Sequence, residues 1–231
     1  MKFKNIEYLG VGLLVASFIG FWPRYFSKFF DGTAEFPYYF HLHTATATLW
    51  VLLLIIQPIL IRKNQRKWHR IIGKCSYALV PIVLISAILL RHYQIISEPV
   101  NTAKRLFGTL GHLLIFVFGY GTAIIYRKHP QVHARGMIVT GLTLVSPSLG
   151  RMFYLVLGVQ APWAFYLGVA PVIFGMLISF IYLERNSSQG RWVFPSTLIL
   201  FLFYHTILRS GVSFPAWWEA FTRWFVSLPL T

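Results

Sequence analysis

Four ionisable side chains, His43, His112, His205 and Arg151, fall inside long apolar stretches of the 231-residue chain. Ionisable groups at membrane depth are costly and turn inward against partners, so these four are the first place to look for chemistry. Neutral imidazole is a ligand for zinc, copper and iron. Two imidazoles from facing helices at matched depth are what axial ligation of a b-type haem requires, and arginine suits the propionates. His43 with His112 is the preferred pair, His205 the substitute, and Arg151 the propionate partner. The three histidines could equally hold a bare transition metal. A hard-cation or carboxylate-bridged centre is disfavoured, because Glu7, Asp31, Glu35, Glu98, Glu184 and Glu219 all fall in loops or at helix ends.

A second group, His69, His129 and His133, lies among basic residues. His129 and His133 have the i, i+4 spacing of two ligands on one helical face, but no acidic base accompanies them as in H-E-x-x-H. Pro130 between them suits the first position of a helix starting near His129. Contact with anionic headgroups is the simplest role for this group, and a cytoplasmic-side metal site the weaker one. His41 and His92 read as interfacial side chains bonded to neighbouring helices. Cys75 is the sole cysteine, which excludes a disulfide framework, a CxxC metal site and covalent haem attachment. Neither a Gly-rich phosphate loop nor a G-x-S-x-G element is present.

The elements that carry these residues are set by composition. Hydrophobic residues make up 56% of the chain and charged ones 12%, with a mean hydropathy of +0.61, the profile of an integral membrane protein. Apolar runs near 8–22, 37–61, 71–90, 107–126, 137–158, 163–183 and 192–208 predict an all-α bundle of about seven transmembrane helices. The start Met1-Lys2-Phe3-Lys4 resembles a secretory signal, but no small-x-small pattern follows Ile19, which favours a retained first helix. Residues 1–209 are read as the bundle and 210–231 as a periplasmic-side interfacial segment. In that segment Trp217, Trp218, Phe221, Trp224 and Phe225 form a helical stripe with Glu219 and Arg223 off it.

Basic residues alternate between short loops: Arg62 to Arg70, then Arg127, Lys128 and Arg135, then Arg185 and Arg191. The positive-inside rule places these loops and the N-terminus in the cytoplasm and the C-terminus outside. The formal charge of +15 is thus topological, and a nucleic-acid role is set aside.

Helical periodicity then orients the candidates. His43 shares a stripe with Thr46, Ala47, Trp50, Leu54 and Gln57, while His41 lies roughly opposite. His112 shares a face with Gly108, Gly111, Ile115 and Gly119, where small residues admit a neighbouring helix or a flat ligand. Arg151 continues a polar stripe from Thr140, Thr143 and Pro147, and His205 precedes Arg209 by one turn.

His43 with Thr48-Leu49-Trp50, Gln57-Pro58-x-Leu60-Ile61-Arg62, His69-Arg70-x-x-Gly73-Lys74 with Tyr77, His133-x-Arg135-x-Met137 and Pro147-x-x-x-Arg151 form a set spanning roughly 38–155. The set resembles an uncharacterised bacterial family of multi-pass inner-membrane proteins. That resemblance implies a bacterial cytoplasmic membrane and a histidine-bearing bundle, and brings no activity with it. The bundle is also loosely similar to membrane b-type cytochromes, by analogy of architecture alone. Three functions follow from the residues: haem b binding for electron transfer or haem handling, a metal-dependent membrane enzyme acting on a lipid or quinone, or a non-enzymatic anion carrier or assembly subunit. The bilayer is the expected partner in each, with quinone, lipid or respiratory-chain proteins beside it.

Overall fold

In the computed structural model, residues 5–160, 163–211 and 213–231 are described. Eight α-helices account for most of them: α1 (Glu7–Phe21), α2 (Tyr38–Arg62), α3 (Arg66–Ser97), α4 (Thr102–Ile125), α5 (Pro130–Arg151), α6 (Ala170–Leu183), α7 (Val193–Arg209) and α8 (Ala216–Ser227). Two π-helical turns, Met152–Val156 and Ala164–Val169, extend α5 and lead into α6. Five helical segments, Tyr38–Arg62, Arg66–Ser97, Thr102–Ile125, Pro130–Val156 and Ala164–Leu183, are long and apolar enough to cross a membrane. α7 is apolar but spans 17 residues, and α1 spans 15. The leading Lys2 and Lys4 lie outside the described residues.

Large apolar side chains stand exposed in mid-helix, among them Ile85, Leu114, Ile178, Ile199 and Phe203. An outward apolar surface of this extent is what acyl chains cover, and the chain is a membrane protein.

Several helix ends differ from the hydropathy reading. α3 begins at Arg66 rather than near 71 and runs to Ser97 rather than 90, because backbone hydrogen bonding continues through polar residues that leave the apolar window. Arg105 stops it by donating to the Glu98 and Gln94 carbonyls at 2.5 and 3.1 Å. α5 begins at Pro130 in the first turn with His129 as its cap, as the Pro130 argument anticipates.

The helices pack in a fixed set of neighbours: α1 against α2 and α5, α2 on α3, α4 on α5 and α7, and α6 on α7. The α4–α5 crossing is the tightest. A Cβ on Gly136 would come within 2.6 Å of the Gly119 carbonyl and the Ala123 nitrogen, so only hydrogen fits there. Trp50 is fully buried, with its ring 5.2 Å from Phe116 and 5.7 Å from Tyr120.

At the basic-loop end two carboxylates are buried in ion pairs, Glu7 with Arg62 and Glu184 with Arg135. Arg135 also donates to Ser187 and the Gln189 carbonyl, which ties the loop after α6 to α5. At the opposite end α8 lies on α3 and α4. Trp218, Phe221 and Phe225 pack inward, while Trp217 (68% exposed) and Trp224 point away. The aromatic stripe therefore divides between docking onto the bundle and facing outward.

Candidate functional site

Tyr204 of α7 organises the histidines, because the missing side chain at Gly111 lets its ring lie directly on α4. A Cβ on Gly111 would fall 2.3 Å from that ring. The Tyr204 hydroxyl donates to the Gly108 carbonyl at 3.0 Å and lies 2.8 Å from His112 Nδ1, which is itself 2.9 Å from the same carbonyl. With the Tyr204 hydroxyl donating to the Gly108 carbonyl, an Nδ1–H on His112 completes the arrangement and leaves the lone pair on Nε2. That Nε2 is buried without a hydrogen-bond partner. A carbonyl-held Nδ1–H is how proteins orient a ligating imidazole.

His205 lies across from it, the ring centres 6.2 Å apart and the planes at 80°. Both of its nitrogens are buried and unpartnered, inside a box made by Phe165, Phe174, Phe201 and Tyr204. Leaving a buried donor or acceptor unsatisfied costs about 1–3 kcal/mol each. Two imidazoles sharing one metal ion at ~2 Å from each nitrogen have centres roughly 6 Å apart. The donor chemistry of the pair, one oriented lone pair facing one unsatisfied ring, therefore suits an axially ligated metal.

His43 stands apart from this pair. Its Nδ1 is 3.2 Å from the Ser86 hydroxyl of α3, which also contacts Thr46 at 3.2 Å, and no ring contact joins it to His112. The structure brings His112 to His205, the substitute of the sequence reading, because α7 is the neighbour that the glycine face of α4 receives. The slot expected there for a flat ligand is filled by Tyr204 at Gly111 and by α5 at Gly119.

Arg151 donates to the Pro147 carbonyl at 3.0 Å, covers the Phe21 ring at 4.5 Å, and lines a cavity of about 280 Å³ together with Arg209, Tyr154 and Phe165. Arg91 of α3, which the sequence reading did not single out, donates to Thr109 of α4 at 2.5 Å, on the helix that carries His112. Its place one residue past the apolar run 71–90 was the available signal.

Among the described residues no carboxylate lies within ion-pair reach of Arg24, Arg91, Arg151 or Arg209. Fully buried Arg135 meets Glu184 at the basic-loop end, and at the other end Arg105 lies 4.0 Å from the exposed Glu98 carboxylate.

The remaining histidines separate into three situations. His41 is bonded through Nδ1 to the Tyr25 hydroxyl at 2.7 Å, and His92 through Nδ1 to the Thr231 hydroxyl at 2.7 Å, its ring against Phe225. Both hold peripheral segments to the bundle. His69 and His133 meet at 6.4 Å between ring centres, and His129 is exposed against Tyr126 instead of joining them. Oriented to satisfy its neighbours, the buried Gln57 amide donates to His69 Nδ1 and accepts from the Gly73 N–H at 3.1 Å. His133 Nδ1 lies 2.9 Å from the Ala123 carbonyl. His69 then presents N–H and His133 presents a lone pair, a complementary hydrogen-bonding pair. Among the described residues no three His, Cys, Asp or Glu side chains gather into a metal site.

Compared with models of protein families, with curated proteins and with solved structures, the chain has no match. The class it belongs to is set by its own fold: a helical membrane protein with a histidine pair where α7 packs on α4.

Proposed function

We propose that the protein binds haem b at the histidine pair of α4 and α7, off the glycine face that Tyr204 fills, that His112 and His205 would hold its iron and Arg91 a propionate, and that it serves electron transfer or haem handling in a bacterial cytoplasmic membrane. The observation that carries this reading is the facing pair itself: buried imidazole nitrogens without partners, one of them already oriented by the Gly108 carbonyl. Haem joins in one ligand the two demands of the site, an iron that accepts two imidazole nitrogens and carboxylates that neutralise guanidinium. The bound group would supply one-electron chemistry. The chain's own residues orient one ligand through Gly108 and Tyr204 and exclude water through Phe165, Phe174 and Phe201.

The reading includes α1 and α7 as sixth and seventh spans, the N-terminus inside, the C-terminus outside, and α8 at the outer interface. Antiparallel packing, basic residues gathered at one end and exposed Trp217 and Trp224 at the other support it. Quinone, lipid or a respiratory-chain protein would be the reaction partner.

The test is an absorption spectrum with metal analysis of detergent-purified protein expressed with haem supplied. A Soret band lost in both His112→Ala and His205→Ala, and retained in His43→Gln, is expected. Protein carrying neither haem nor a transition metal overturns the proposal. A stoichiometric metal without a Soret band moves the same histidine pair to the metal-enzyme reading.

A further inference from the structure

The cavity between the two π-helical turns carries an inference that stands apart from the histidine pair. Its floor comes from α5 at Pro147 and Arg151, one wall is Tyr154 of the first turn, and the facing wall is Phe165 of the second, with Arg209 closing the end of α7. π-turns interrupt helices mostly where a site needs the altered backbone, and here two of them face each other across one cavity. Beyond Tyr154 a wider recess of about 590 Å³ is lined by Arg24, Leu155 and Gln160. Tyr154 lines both recesses, so Arg24 and Arg151 stand in adjoining spaces.

The Arg209 guanidinium rests 3.4 Å from the Phe165 ring centre, and its buried Nε has no hydrogen-bond partner. Arg151 spends one nitrogen on the Pro147 carbonyl and has no carboxylate partner among the described residues. Two guanidiniums lining one cavity, each backed by an aromatic ring, supply the N–H donors that a phosphate's several oxygens accept. A cavity of about 280 Å³ is large enough for such a group with a short apolar extension.

We propose that the Arg151–Arg209 cavity is a phosphate site, occupied by the phosphate of an anionic lipid headgroup or by the same oxyanion free in solution. Arg24 guides the charge in from the wider recess, and Phe165 and Tyr154 bracket the glycerol or other apolar neighbour of the phosphate. Phe165 also packs on His205 at 4.6 Å, so an occupied cavity would press on one wall of the histidine box.

The experiment is native mass spectrometry of the detergent-purified full chain, titrated separately with phosphatidylglycerol, with phosphatidylcholine and with inorganic phosphate, alongside thermal melting. Preferential retention of phosphatidylglycerol over phosphatidylcholine, weakened about tenfold or more in Arg151→Gln and Arg209→Gln, is the expected result for a lipid source. Saturable stabilisation by inorganic phosphate, lost in the same variants, is the expected result for a free anion. Equal binding of every ligand by folded wild type and both variants overturns the proposal. If the glutamine variants do not fold, Arg209→Lys keeps the charge and removes the fork, and unchanged affinity for both phosphate ligands in that variant overturns it as well. The haem spectrum is read separately, so failure of one proposal leaves the other measurable.

Discussion

Replacing Gly111 by alanine should separate two effects of one methyl group. The new Cβ would sit 2.3 Å from Tyr204 Cδ2 and 2.5 Å from Cε2, well inside van der Waals contact. Overpacking costs about 1–3 kcal/mol. Displacing Tyr204 also weakens its bonds to the Gly108 carbonyl and His112 Nδ1, each worth about 0.5–1.5 kcal/mol. Alanine returns about 1 kcal/mol through helix propensity. The net loss is about 1–5 kcal/mol. At roughly 2–4 °C per kcal/mol for a chain of this size, the midpoint should fall by several degrees or more. Gly121 lies in the same helix with nothing within 4 Å of its Cβ position, so Gly121→Ala should be neutral or stabilising by up to about 1 kcal/mol. The assay is thermal unfolding in detergent followed by circular dichroism for both variants, and for Gly111→Ala in a Tyr204→Ala background. If Tyr204 is the obstacle, the Gly111→Ala cost disappears in that background. Equal behaviour of Gly111→Ala and Gly121→Ala, or additive losses in the double variant, would refute the placement of Tyr204 on α4.

Two further outcomes follow. Glu184→Gln strips the fully buried Arg135 of its carboxylate and should destabilise by about 3–5 kcal/mol, read as a lowered melting midpoint and faster proteolysis in the loop 184–192; a change below about 1 kcal/mol would refute burial of that pair. Asp31, outside the spans, is held below the usual carboxylate range, first by the Thr33 hydroxyl at 2.5 Å. Because the folded value is the lower one, the loop order it supports is present above the ordinary carboxylate value and lost as pH falls through the folded one. Carboxyl NMR titration should show the Asp31 midpoint rising in Thr33→Ala, and an unmoved midpoint would contradict the bond.

Much of the bundle was legible because a membrane segment advertises itself in a single dimension. An apolar run of about 20 residues needs no knowledge of its neighbours to be read as a helix. The five long spans, the cap at His129 and the helix that carries the C-terminal aromatic stripe follow from local pattern, whereas the division of that stripe between bundle and exterior does not. Helix neighbours are another matter. Periodicity placed Gly108, Gly111 and His112 on one face, yet nothing in that face says whether α2 or α7 fills it. The choice of α7 made His205 the partner and left His43 on Ser86. Arg91, one residue past the apolar run 71–90, bonds across to α4, and Arg209, one turn after His205, packs on the Phe165 ring; neither contact is visible in the run of hydropathy.

The amino-acid sequence by itself determined that this is a helical membrane protein, which end of the bundle is basic, and that its acids stay at the helix ends, since hydropathy and charge act residue by residue. Tertiary structure alone decided which histidines meet, which arginines lack a carboxylate, and that two π-turns enclose a cavity. Those properties depend on distances between residues up to about a hundred positions apart, as with Tyr204 and Gly108, and such distances are set by packing of small and large side chains across helices.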